Sequence, residues 1–164
     1  MSIFLWSLLK ERLPCSLLVK NRIPNVSPDY QFCRERETLR HAFFDCPRAS
    51  LIWFHSPTNL RSTFLQGASA MDCRVELTEF LLKHNVGEEL IQTTAFICWG
   101  IWKCRNLLLF NGQQQSFLEV LSLANSFQGI FLSKLLLLPL RHLYTWLPLL
   151  MLGSPSVACA QSKF

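Results

Sequence analysis

The chain holds only three aspartates, Asp29, Asp45 and Asp72, and no two are adjacent. A two-metal centre needs carboxylates gathered as a clamp around an in-line displacement, so no such cluster is expected. The six glycines are scattered, which excludes a Gly-rich phosphate loop. His55, His84 and His142 have no partner at ligand spacing and read as surface histidines. Neither a Ser-His-Asp nor a Cys-His catalytic arrangement can be argued. Charge is sparse as well, at 16% against 50% hydrophobic residues. That balance excludes a disordered chain and supplies a core. The opening MSIFLWSLLKER has no basic n-region, only a short apolar run and no small-residue cleavage site, so the expected setting is intracellular, in the nucleus or cytoplasm, and not secreted. The 164 residues give room for one ordinary domain, or for a small module with a helical extension.

Cysteine is what the chain has in excess. Seven is an odd number, and in a reducing compartment Cys beside His suggests metal before disulfide. Cys98, Cys104 and Cys159 lie in apolar or tail surroundings and read as small hydrophobes, while Cys15 and Cys73 stay undecided. The stretch FCRERETLRHAFFDCP brackets His41 between Cys33 and Cys46. Zinc takes four N or S ligands in a tetrahedron, and His41 with Cys46 makes one half-site. Cys33 belongs to the other half, normally a C-x-x-C knuckle, but Tyr30 stands three residues before it. A phenol with a pKa near 10 is a poor zinc ligand at neutral pH. Cys15 could substitute as fourth ligand, or else water or Asp29 would complete the sphere.

The residues around this cluster resemble a known family. FLWSLLKERLP followed by CRERETLRHAFFDCPRASLIW looks like the zinc-binding domain that follows the reverse transcriptase in plant LINE-type (non-LTR) retrotransposons. The likeness rests on Phe4, Leu5, Trp6, Leu8, Leu9, Arg12, Leu13, Pro14, Cys33, Glu37, Thr38, His41, Phe43, Cys46, Pro47, Ala49 and Trp53. Later, ICWGIWKCRNLLLFNG is similar, through Trp99, Trp102, Arg105, Asn106, Phe110 and Gly112, to a segment that leads towards an RNase H-like domain in those elements. The resemblance implies a zinc module that helps a polymerase hold nucleic acid. Tyr30 departs from the family's first knuckle cysteine, the likeness begins inside the family's pattern, and it ends near Phe131.

Basic residues crowd the module. Residues 1–61 carry nine Lys/Arg against five Asp/Glu, and residues 62–164 seven against six. Arg34, Arg36, Arg40 and Arg48 are the candidate contacts to RNA or DNA phosphates, with Tyr30 or Phe32 as stacking platforms. Glu35 and Glu37 interleave with the arginines, so a solvated turn is equally economical. Trp6, Trp53, Trp99 and Trp102 have aliphatic neighbours at helical spacing and are expected in the core.

The expected fold is mainly α. A small Cys/His zinc-knuckle-like module lies between short N-terminal helices and longer C-terminal helices, and strand is at most marginal. Helices are predicted from Phe4 to Leu13, through SLLVKNRI, around ETLRHAFFD, after Pro47, from Val75 to His84 with Val75, Phe80, Leu81 and Leu82 inward, over GEELIQTTAFICWGIWKCRNLLLFNG, and from Ser116 to about Gln128. Residues 1–60 form the zinc-binding-like domain, 61–130 a helical linker region and 131–164 a leucine-rich tail. A membrane span needs about 20 apolar residues, and residues 131–152 have the length. Lys134, Pro139, Arg141, His142 and Pro148 interrupt the run, and a mid-helix Arg costs about 2.5–3.5 kcal/mol. The leading expectation is a degenerate, non-catalytic zinc-binding module with no small-molecule substrate. A metal-free helical fragment that self-associates through apolar helices competes with it, and a tail-anchored protein ranks third.

Overall fold

The computed structural model describes residues 2–23, 27–84 and 87–136. Helix α1 (Ser2–Leu9) stops four residues short of the predicted Leu13. Arg12 N–H donates to Ser7 O at 2.8 Å and Glu11 N–H to Leu8 O at 3.0 Å, with Glu11 at φ 50°. That is the bonding of a Schellman stop, and it turns the chain so that Leu13 is buried from a loop. The short α2 (Ser16–Lys20) follows. Residues His41–Asp45 wind as a π-turn and lead through Cys46 into α3 (Pro47–His55), whose Pro47 sits where a missing N–H costs nothing. A 3-10 turn at Ser62–Phe64 precedes α4.

Helix α4 (Ala70–Lys83) begins five residues before the predicted Val75. Ser69 and Asp72 form a capping box there, each side chain bonded to the other's backbone N–H at 3.1 Å. Of the residues expected inward, Leu81 is buried and Val75 half-buried. Arg74, Leu77, Thr78 and Leu81 are buried, whereas Phe80 and Leu82 are exposed. The buried set follows the i, i+3, i+4, i+7 spacing of one helical stripe, and Phe80 and Leu82 fall off it.

Helix α5 (Glu88–Asn111) runs as predicted and ends on Gly112 in the left-handed region, φ 66°. Helix α6 (Phe117–Leu136) starts at a second capping box, with Ser116 N–H donating to Glu119 and Glu119 N–H to Ser116 Oγ at 3.2 Å. It continues past the predicted end at Gln128. The α5–α6 pair makes the most extensive helix contact. At its crossing, a Cβ on Gly100 would lie 3.3 Å from both Val120 Cγ1 and Val120 O, so glycine sets the approach. Among the described residues the only bridge pairing is Asp29 with Arg36, so the mainly α expectation holds.

One apolar cluster runs from Leu8 to Ala124. Trp53 and Trp102 are buried in it, and Trp99 is half-buried against Phe127. Trp6 is a correction. It is 47% exposed, with Arg12 stacked on its ring at 5.4 Å, because α1 turns Phe4 and Leu8 inward instead. Among the described residues no helix is long and apolar enough to cross a membrane. Most of the leucine-rich run, together with His142 and Cys159, lies outside the described residues.

Candidate metal centre

Two local structures bring the donors in from opposite sides. The first is a tight turn at residues 30–34, in which Cys33 N–H and Arg34 N–H both donate to Tyr30 O, at 3.3 and 2.8 Å. Arg34 takes φ 67° to close it, a conformation that costs an L residue roughly 1–2 kcal/mol. The second is the π-turn. Cys46 N–H donates to His41 O at 2.9 Å, an i to i+5 bond. On a regular α-helix a residue five positions on points about 140° away. The wider turn returns Cys46 to the His41 side, and it also buries Phe43 and Phe44 together.

The donor atoms of Cys33, His41 and Cys46 lie within 4.8 Å of one another. Cys33 Sγ is 3.0 Å from His41 Nε2. Tetrahedral zinc, at about 2.3 Å to sulfur and about 2.0–2.1 Å to nitrogen, separates such donors by roughly 3.5–3.8 Å. The donor set and its spacing therefore fit zinc with sub-ångström to one-ångström adjustments. His41 Nδ1 faces the exposed Glu35 Oε2 at 3.5 Å, while its Nε2 faces Cys33 Sγ. Burial pushes the Cys46 thiol up to about 11, against the opposing pull of the Arg48 and Ala49 amides at the head of α3.

The remaining ligand candidates do not join the cluster. Tyr30 is 2% exposed, edge-on to the His41 ring at 5.6 Å. Burial first, and then the nearby Cys46, drive its phenol above its ordinary range. It is a neutral wall of the site. Cys15 is buried at the head of α2, outside the converging donors, and its thiol is raised by burial. Asp29 is exposed and accepts from Ser27 Oγ at 2.9 Å. Cys73 and Cys104 are buried and donate to Gly67 O and Gln115 Oε1, at 3.4 and 2.9 Å.

The loop between Cys33 and His41 is gripped from α5. Glu37, 1% exposed, accepts from Arg105 Nε and Nη2, each at 2.8 Å, and from Ser16 N–H at 2.6 Å. Burial pushes its carboxyl up, but Arg105 and Ser16 outweigh that, and the net shift is downward. Sequence reasoning noted Glu37 and Arg105 only as separate motif positions. Their 68-residue separation leaves no local signal of a pair. Glu35 was likewise read only as a counter-charge.

Of the four arginines proposed for nucleic acid, Arg34 and Arg36 are exposed. Arg40 is paired with Asp45 at 3.2 Å and reaches Leu65 O at 3.5 Å. Arg48 stacks on Phe32 at 4.1 Å with Nη2 buried and unbonded. Tyr30 is too buried to be a stacking platform, which corrects that expectation, and Phe32 is half-buried between Tyr30 and Arg48. His55 and His84 are exposed, as expected.

Residues 1–53 match the family described as zinc-binding in reverse transcriptase. All three converging donors, with Glu35 and Glu37, fall inside that segment. No curated protein and no solved structure matches the chain.

Proposed function

We propose that residues 1–53 work as a three-ligand structural zinc module, with Cys33, His41 and Cys46 as ligands and Glu35 behind His41. The observation that carries this is the convergence of three donor atoms within 4.8 Å, inside a segment that matches a zinc-binding family. Cys33 on the knuckle turn and His41 and Cys46 before α3 would hold the zinc, which would supply a cross-link between the two. The protein's own residues would supply two thiolates and an imidazole, and Tyr30 walls one side of the site, edge-on to His41. No catalytic step is assigned to the centre.

The module presents Arg34 and Arg36 on the exposed rim of the knuckle, where phosphates of RNA or DNA would be neutralised. Descent from a plant LINE-type retrotransposon, suggested by the FLW and H-x-F-x-x-CP phrases, agrees with that role. A nuclear or cytoplasmic setting follows from the need for reduced thiols. A second reading, self-association of a metal-free helical fragment, draws on the exposed apolar side chains Ile3, Phe64 and Phe110.

Native mass spectrometry of the full chain with added zinc tests the first reading. One bound zinc is expected, lost when Cys33, His41 or Cys46 is replaced by alanine. A chain that takes up no zinc, or keeps it when Cys33, His41 and Cys46 are all replaced by alanine, defeats the proposal, and a zinc-free dimer favours the second reading. For the zinc-loaded protein, affinity for single-stranded RNA should fall steeply with salt. Arg34→Ala with Arg36→Ala should reduce the log–log slope by about 1.4, at about 0.7 for each phosphate contact on a single strand. An unchanged slope removes these two residues from the interface.

A further inference from the structure

We infer that Arg105 on α5 is a positioning residue for the metal centre, acting through Glu37, and that the working zinc module therefore extends beyond the matched segment to α5. This rests on the zinc reading above. Glu37 lies midway along the chain between the ligands Cys33 and His41, four residues from each. Both ends of the residue are held. Its N–H donates to Pro28 O at 2.7 Å, and its carboxylate takes the forked pair from Arg105 together with the Ser16 amide.

Arg105 is itself fixed. Its Nη1 donates to Asn106 Oδ1 at 2.9 Å, its Nη2 reaches Ser16 Oγ at 3.4 Å, and its guanidinium lies over Trp102 at 4.8 Å. Trp102 in turn stacks on Phe43, with ring centroids 6.1 Å apart, two residues past His41. Helix α5 thus touches Glu37, before His41 in the chain, and Phe43, after it.

The physical need is clear from the loop. Between Tyr30 and Thr38 the backbone is braced within its own turn and against Pro28, and Glu37 ties that turn to α2 and α5 through Ser16 and Arg105. A centre with three protein ligands depends more on their pre-arrangement than one with four, because fewer bonds offset the entropy of ordering the loop. A buried carboxylate without its partner must find water or take a proton. In leaving, it would carry the chain on both sides of it, and the ligands with them. Arginine suits the task because its planar fork meets both carboxylate oxygens at once, which lysine cannot do.

The test uses the full chain, a chelator competition for zinc, and the visible spectrum of the cobalt(II)-substituted protein. Arg105→Met should weaken zinc binding by about 10–100-fold, the range for lost outer-shell support, and distort the tetrahedral cobalt bands. Arg105→Lys should restore part of the loss. Arg74→Met removes another buried arginine, which donates to Thr78 within α4 at 2.6 Å. It should lower the melting temperature while leaving zinc affinity within about twofold of wild type, as for an independent site. If Arg105→Met does not fold, Glu37→Gln keeps the shape of the site and should still weaken zinc. Wild-type affinity and cobalt spectrum in Arg105→Met or in Glu37→Gln overturn the inference alone. So does an equal loss in Arg74→Met. A wild-type chain that binds no zinc overturns the zinc reading and this inference with it.

Discussion

At position 30 a buried phenol, 2% exposed, stands three residues before Cys33. Its proton is held by burial and by the neighbouring Cys46, so zinc gains nothing from it at neutral pH. Cys46 contributes to the pH behaviour of the site. With its thiol raised to about 11, the metal-free protein keeps that proton at neutral pH, and zinc must displace it. Affinity should therefore fall by about tenfold per pH unit between pH 8 and 6 on account of Cys46 alone, since one unit is about 1.4 kcal/mol. Competition titrations at several pH values measure this, and a flat profile would remove Cys46 from the ligand set. The three donors and the Tyr30 change could be seen in the sequence, because both depend only on residue type and spacing. The place of Glu35 could not. It faces His41 only because Arg34 adopts the left-handed conformation that turns the knuckle back.

Among the elements, capping chemistry fixed ends that periodicity misplaced. Ser69 and Asp72 start α4 before the apolar stripe becomes visible, and Ser116 and Glu119 start α6 where it was expected. The π-turn had no signature, because a five-residue HAFFD run is compatible with ordinary helical winding. The α5–α6 pair allows a contrast between two glycines. Gly100 has the Val120 backbone oxygen 3.3 Å from where a Cβ would stand, whereas a Cβ on Gly129 would meet nothing within 4 Å. Gly100→Val should destabilise by about 1–3 kcal/mol through overpacking. Gly129→Ala should stabilise by up to about 1 kcal/mol from helix propensity. Denaturant melts of both variants decide the matter. A stabilised Gly100→Val would mean that the two helices do not pack this closely.

For the whole molecule, the question is whether metal or core holds the fold. Isolated zinc fingers unfold without metal. Here the apolar cluster from Leu8 to Ala124 includes residues on both sides of the ligand loop, so the helices have a core of their own. Removing zinc with a chelator should leave the far-UV helical signal at 25 °C intact. It should lower the melting temperature by about 5–10 °C, as expected when a ligand at about a hundred times its dissociation constant contributes about 2.7 kcal/mol. Loss of the helical signal on chelation would show that the metal, not the core, carries the fold.

Sequence alone determined the mainly helical class, the long α5, the three candidate donors Cys33, His41 and Cys46, and the tyrosine three residues before Cys33. Each of these follows from composition, from local spacing or from one residue's chemistry. Tertiary structure decided which arginines stay exposed, that Trp6 faces solvent, that Glu35 backs His41, and that Glu37 meets Arg105. Glu37 and Arg105 are 68 residues apart, and no window of neighbouring residues contains that pair. Glu35 and His41 are close in the chain, but periodicity does not show the left-handed turn at Arg34 that lies between Cys33 and them.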